Sequence, residues 1–202
     1  MRITRRPTLV TAGALGTAAL ALSASGTLSG FTASITNSTN TGGVGSLVMQ
    51  ETGPDGNGGT ATCLTTASAT SATCATINKY GGDLNMNTTS NATKVTAIAI
   101  KNAGTMNAGT FTLTPGACTL TNTASNTGDL CTEAVVTIKQ DGTQIFTGTP
   151  AALASGGPLT LATTNVTAGG TSNVEITFAT TAATDAVQGE SVSQPLTWTF
   201  NA

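Results

Sequence analysis

AVVTIKQDGTQIF, residues 134–146, decides how the fold is read. Two runs rich in β-branched residues flank Asp141-Gly142, a dipeptide that accepts positive φ at both positions and so closes a tight hairpin. Period-two alternation continues outward in both directions. TFTLT (residues 110–114) alternates and stops at Pro115-Gly116. Val174, Ile176 and Phe178 alternate with polar partners, as do Leu196, Trp198 and Phe200 with Thr197 and Thr199. KVTAIAIK (residues 94–101) is apolar at nearly every position, the pattern of a central strand covered on both faces. SLVMQ (residues 46–50) is a short apolar run. Residues 51–60 (ETGPDGNGGT) read as turn punctuation, and residues 62–76 as a Thr/Ala/Ser loop tied by two cysteines. About eight to ten short strands separated by Gly, Asn and Pro predict an all-β chain, a jelly-roll-like β-sandwich. No fixed short repeat appears, which argues against a solenoid, an ice-binding Thr ladder included.

The N-terminus follows different rules. Arg2, Arg5 and Arg6 precede an uncharged Ala/Leu-rich stretch over residues 8–24, then small residues up to Gly30. This is the layout of a secretory signal peptide over residues 1–29, with cleavage expected between Ser29 and Gly30. A membrane anchor needs about 20 strongly apolar residues, and Thr8, Thr11, Gly13, Gly16 and Thr17 dilute this run. Cleavage would leave no stable membrane anchor and about 170 residues, enough for one core. Residues 30–45 then read as an N-terminal strand and hinge, and residues 46–202 as the sandwich domain. Phe31, Ala33 and Ile35 share one strand face, which continues to Asn37. Gly42, Gly43 and Gly45 supply a flexible hinge.

Composition excludes several functions. Charged residues make up 8% of the chain, the net charge is −2, and Thr is about a fifth of all residues. Such a surface lacks the basic footprint that nucleic acid requires and the basic face that holds proteins to anionic lipid. There is no histidine, which removes Ser-His-Asp and Cys-His catalysis and every His-based zinc site. The nine acidic residues are scattered beside turns and read as solvated loop carboxylates rather than a hydrolytic pair. Residues 55–59 (DGNGG) resemble the start of a calcium loop, but Thr66 stands where the bidentate Glu belongs, so a plain turn is expected. No cofactor or metal is expected. Trp198, between Leu196 and Phe200, reads as core rather than as a sugar platform.

Four cysteines behind an export signal read as disulfides. Three pairings are possible, and local closure favours Cys63–Cys74 and Cys118–Cys131, each stapling one polar loop. The four N-x-S/T sequons, at Asn37, Asn87, Asn91 and Asn165, follow from so much Thr. Lys–Asn isopeptide bonds would need a carboxylate beside a Lys–Asn pair, which the sequence alone does not place. The ending TWTFNA carries no wall-sorting signal, so covalent anchoring is not expected.

Four stretches together resemble a known family. The Ala/Leu/Gly-rich leader with its Ser29-Gly30 junction and Phe31 opening a Thr/Ser-rich strand is one. SLVMQET (residues 46–52) and KVTAIAIKNAGTMNAGTFTL (residues 94–113) are the second and third, and the ending QGESVSQPLTWTFNA (residues 188–202) the fourth. They resemble the TasA/camelysin family of secreted biofilm-matrix proteins. The resemblance implies export through a SipW-type signal peptidase and a jelly-roll subunit whose N-terminal strand completes the sheet of the next copy in a fibre. It implies partners that are further copies of the same chain, located in the extracellular matrix or on the cell surface. Camelysin was named as a metalloprotease, yet this chain has no H-E-x-x-H, so no enzymatic activity is expected. The chain departs from better-known members in its four cysteines and its scarcity of charge. The alternative reading is a monomeric surface adhesin or ligand-binding module on the same sandwich.

Overall fold

The computed structural model describes residues 44–68, 71–84, 92–122, 127–180, 187 and 189–202. The predicted signal peptide, Phe31, Ala33, Ile35, Asn37, Gly42 and Gly43 lie outside these residues. What is described belongs to one compact unit, Val44–Ala202. No helix among the described residues is long and apolar enough to cross a membrane.

The unit is built almost wholly from antiparallel strands. In chain order these are β1 (Met49–Pro54), β2 (Thr60–Leu64), β3 (Thr93–Asn102), β4 (Thr110–Pro115), β5 (Thr119–Asn122), β6 (Ala134–Gln140), β7 (Thr143–Gly148), β8 (Leu159–Thr160), β9 (Thr171–Thr180), β10 (Glu190–Ser193) and β11 (Leu196–Asn201). A six-stranded sheet runs β2-β1-β3-β9-β6-β7, a three-stranded sheet runs β11-β4-β8, and β5 pairs with β10. Two short helices, α1 (Leu130–Glu133) and α2 (Pro150–Ser155), are capped by Asp129 and Thr149. They add the buried Leu130 and Leu153 to the core.

Alternation explains the layering. Ile98 and Ile100 of β3, Val136 and Ile138 of β6, and Val174, Ile176 and Phe178 of β9 point to one face of the large sheet. They join Phe111 and Leu113 of β4 and Leu196 and Trp198 of β11 in a single cluster. The fold is therefore all-β and sandwich-like, as the sequence indicates. The central hairpin forms where expected. Asp141 and Gly142 sit at φ 46° and 84°, the both-positive geometry of a type I′ turn. Asp141 also ties the turn to the neighbouring strand, its Oδ1 accepting from the Asn173 amide at 2.9 Å and its Oδ2 from the Ser172 hydroxyl at 3.1 Å.

Four readings change. β3 is central in its sheet, but only one face is covered: Thr96, Ile98, Ile100 and Asn102 are buried, whereas Val95 remains 55% exposed. The apolar residues on the outer face are mostly alanines, too small to demand a covering layer. Second, residues 51–54, read as punctuation, are the body of β1, because Glu51 and Thr52 pair with β2 and β3 and Gly53 and Pro54 continue the pairing with β2. Gly53 fits there because a β-carbon would meet Ile77 at 3.0 Å. Third, the loop expected over residues 62–76 begins as edge strand β2. Finally, the carboxylates are not all solvated, since Glu51 is buried.

Candidate functional site: an open sheet edge and its groove

Both predicted disulfides are present, Cys63–Cys74 and Cys118–Cys131, each with its Cα atoms 5.9 Å apart. Neither closes a plain loop. Cys63 lies on β2 and fastens the following connection to the edge of the large sheet, while Cys131 lies in α1. Replacing Cys63 and Cys74 together with Ser should lower unfolding stability by about 3 kcal/mol, because an 11-residue separation is no longer cross-linked in the unfolded chain. Urea denaturation reads this directly, and an unchanged midpoint would show that the loop is held by something else.

The chain enters the domain along a fixed path. Ser46 donates its amide to Thr105 Oγ1 at 3.0 Å. Its carbonyl accepts from the amides of Thr105 and Met106 at 2.9 and 3.1 Å. Gly104 is required here, since a β-carbon would collide with the Ser46 carbonyl. Asn102 shapes the same turn, donating from Nδ2 to the carbonyls of Met106 (2.8 Å) and Val166 (2.9 Å). Of the three predicted hinge glycines only Gly45 is described. A β-carbon on it would collide with the Met106 side chain, whereas Val44 just before it is fully exposed.

β11 carries the feature of most interest. Pro195 and Asn201 turn their carbonyls toward β4, accepting from Gly116 and Gly109 at 2.7 Å each. In an antiparallel strand the N–H and C=O of one residue point the same way and alternate along the chain. Leu196, Trp198 and Phe200 therefore aim their backbone groups at the opposite edge. Among the described residues nothing pairs there, and β11 ends its sheet. A groove of about 590 Å³ runs along this edge. Leu47, Met49 and Glu51 form one wall, Leu196, Trp198 and Phe200 another, and the Cys63–Cys74 bridge with residues 71–73 borders it.

One charged cluster sits among the apolar and hydroxyl-bearing side chains of the lining. Glu51 Oε1 accepts from Lys79 Nζ at 2.9 Å and from Trp198 Nε1 at 2.8 Å. The two charged side chains are only 9% and 13% exposed, so the pair is mostly buried and each charge offsets the other. Trp198 is core as the sequence suggested, packed against Phe111 with ring centroids 5.8 Å apart, yet its indole N–H also serves this cluster. Next to Lys79, Tyr80 stacks on Phe178 and donates its hydroxyl to Gln194 Oε1. Burial pushes the tyrosine hydroxyl's pKa well above its ordinary value.

Glu51 was missed by reading residue 51 as the start of a turn. The signal that could have found it is period two, since Leu47, Met49 and Glu51 fall on one strand face. Lys79 and Trp198 could not have been joined to it, being 28 and 147 residues away along the chain.

The turn over residues 55–59 is a plain one. Asp55 Oδ1 accepts from the amides of Asn57 and Gly59 at 2.8 Å each. Those bonds hold the carboxyl below its usual pKa. Among the described residues no three Cys, Asp or Glu side chains converge as metal ligands would. A second recess of about 450 Å³ lies on the outer face of β1 and β3 beside this turn.

Comparison with known proteins finds no matching family model, no similar characterised protein and no similar solved structure. The open edge, its groove and the polar cluster within it are what the functional reading stands on.

Proposed function

We propose that this protein is a secreted, non-enzymatic structural subunit that assembles into extracellular matrix fibres by strand donation. The segment over residues 31–41 of one copy lies along β11 of the next, in the groove beside it, and the sandwich is a jelly-roll variant. The open β11 edge is the observation that carries this reading. An extended segment gives the N–H and C=O groups of Leu196, Trp198 and Phe200 the partners they lack among the described residues. β11 has six residues, about 20 Å of ladder, and the segment over residues 31–41 is long enough to cover it. Phe31, Ala33 and Ile35 would meet the apolar side chains of the groove, and their burial contributes about 3–5 kcal/mol.

Two disulfides are compatible with an extracellular protein. The leader over residues 1–29 and the resemblance to the TasA/camelysin family support export and processing by a SipW-type peptidase. The test is electron microscopy and sedimentation of the purified, processed protein. Regular fibres are expected. A species that stays monomeric at every concentration would overturn the reading in favour of a single-copy adhesin or ligand-binding module.

A further inference from the structure

The groove is lined by apolar side chains and by threonine and serine hydroxyls, and Glu51 and Lys79 are the charged residues among its lining. Glu51 Oε1 already takes two donors, Lys79 Nζ and Trp198 Nε1. Glu51 Oε2 and the remaining hydrogens of Lys79 have no partner among the described residues. Both side chains border the groove. A charged pair held this deep is costly unless its remaining hydrogen-bonding capacity is used. An occupant that is apolar throughout would shut these groups from water and leave them unsatisfied.

A primary carboxamide answers this arrangement. Its carbonyl accepts from an ammonium and its NH2 donates to a carboxylate, so it meets both members of the pair and brings no charge. A carboxylate at the same place is repelled by Glu51, and an ammonium is repelled by Lys79. In the segment proposed to lie along β11, period two puts Phe31, Ala33, Ile35 and Asn37 on one face. Asn37 is the one carboxamide on that face, since Asn40 falls on the other.

We propose that Glu51 and Lys79 form a carboxamide-recognition site that takes Asn37 of a second copy and so fixes the register of the incoming strand. This rests on the strand-donation reading. Apolar contacts alone fix register weakly here, because Phe31 and Ile35 could each sit beside Leu196, Trp198 or Phe200 after a two-residue slip. A two-residue slip keeps the same face inward, so a polar pin is what distinguishes the alternatives. Glu51 and Lys79 are thus specificity-determining residues, and Asn37 is the group they select.

The test is a suppressor experiment on the full chain. Asn37→Asp sets a carboxylate against Glu51 and should raise the concentration needed for assembly at least about ten-fold at neutral pH. Glu51→Gln offers an NH2 to the NH2 of Asn37 and should also impair assembly. The double variant Asn37→Asp with Glu51→Gln restores complementarity, the new carboxylate accepting from both Gln and Lys79. It should assemble within about three-fold of the wild type. A purely structural Glu51 gives no such rescue. Assembly of the wild type without rescue in the double variant overturns the recognition site and leaves the fibre reading intact. If the wild type stays monomeric, the same three variants are compared by thermal unfolding. Rescue of the melting temperature then shows the segment bound in its own groove, which sustains the recognition site and removes the fibre. Absence of rescue in both measurements overturns the site.

Discussion

Ile35→Asp in the full chain is expected to abolish fibre formation and leave a soluble monomer in sedimentation velocity. The substitution removes about 2 kcal/mol of apolar burial and puts a carboxylate into a groove lined by Leu47, Met49 and Phe200. Burying an unpaired charge there costs several kcal/mol more. Together these match or exceed the 3–5 kcal/mol that the three apolar side chains of the segment contribute. Ser34→Asp is the control, since period two turns residue 34 away from the groove; it should assemble normally. The circular dichroism of both variants should match the wild type, because the substitutions lie before the packed unit Val44–Ala202. Equal loss of assembly in the two variants, or fibres from Ile35→Asp, would sink the strand-donation reading.

Phe111→Ala should be among the most damaging single changes within the domain. Phe111 is fully buried. Its ring lies edge-on to Phe200 with centroids 4.8 Å apart and is tilted against Trp198 at 5.8 Å. Truncation removes both aromatic contacts and leaves a cavity that a sheet on either side cannot collapse to fill. The expected loss is about 3–5 kcal/mol, a fall in melting temperature of roughly 6–20 °C for a domain of this size. Thr112→Ala, one position along the same strand and half-buried, should cost well under half as much. A difference of only a few degrees between the two would mean that the aromatic cluster is not the centre of the core.

Much of the fold was legible because strand alternation is a local property. Val174, Ile176 and Phe178 announce β9 without reference to anything else, and Asp141-Gly142 announces its hairpin because few residues tolerate positive φ twice in succession. The differences have distinct causes. Residues 51–54 hold Gly and Pro, which read as a turn when viewed alone. Pairing with β2, and for Glu51 and Thr52 also with β3, draws them into β1, and the close approach of Ile77 calls for Gly53. Residues 94–101 were overread in the opposite sense, since alanine counts as apolar in the pattern yet needs no covering layer. Asn102 shows a third kind of gap. Its place before Ala103-Gly104 marks a turn, but its bond to the Val166 carbonyl, 64 residues on, belongs to the packed fold.

The sequence by itself determined the all-β class and favoured the two local disulfide pairings that the structure contains. Each of these is set by residue type or by spacing over a few positions. The tertiary structure decided which strand borders the groove, and it placed Glu51 within hydrogen-bonding distance of both Lys79 and Trp198. Period two says which way a side chain faces and nothing about which strand lies beside it. Strand order, and with it the groove along β11, follows from the simultaneous burial of Phe111, Ile176, Trp198 and their neighbours. That packing is a property of the whole chain, and no window of the sequence contains it.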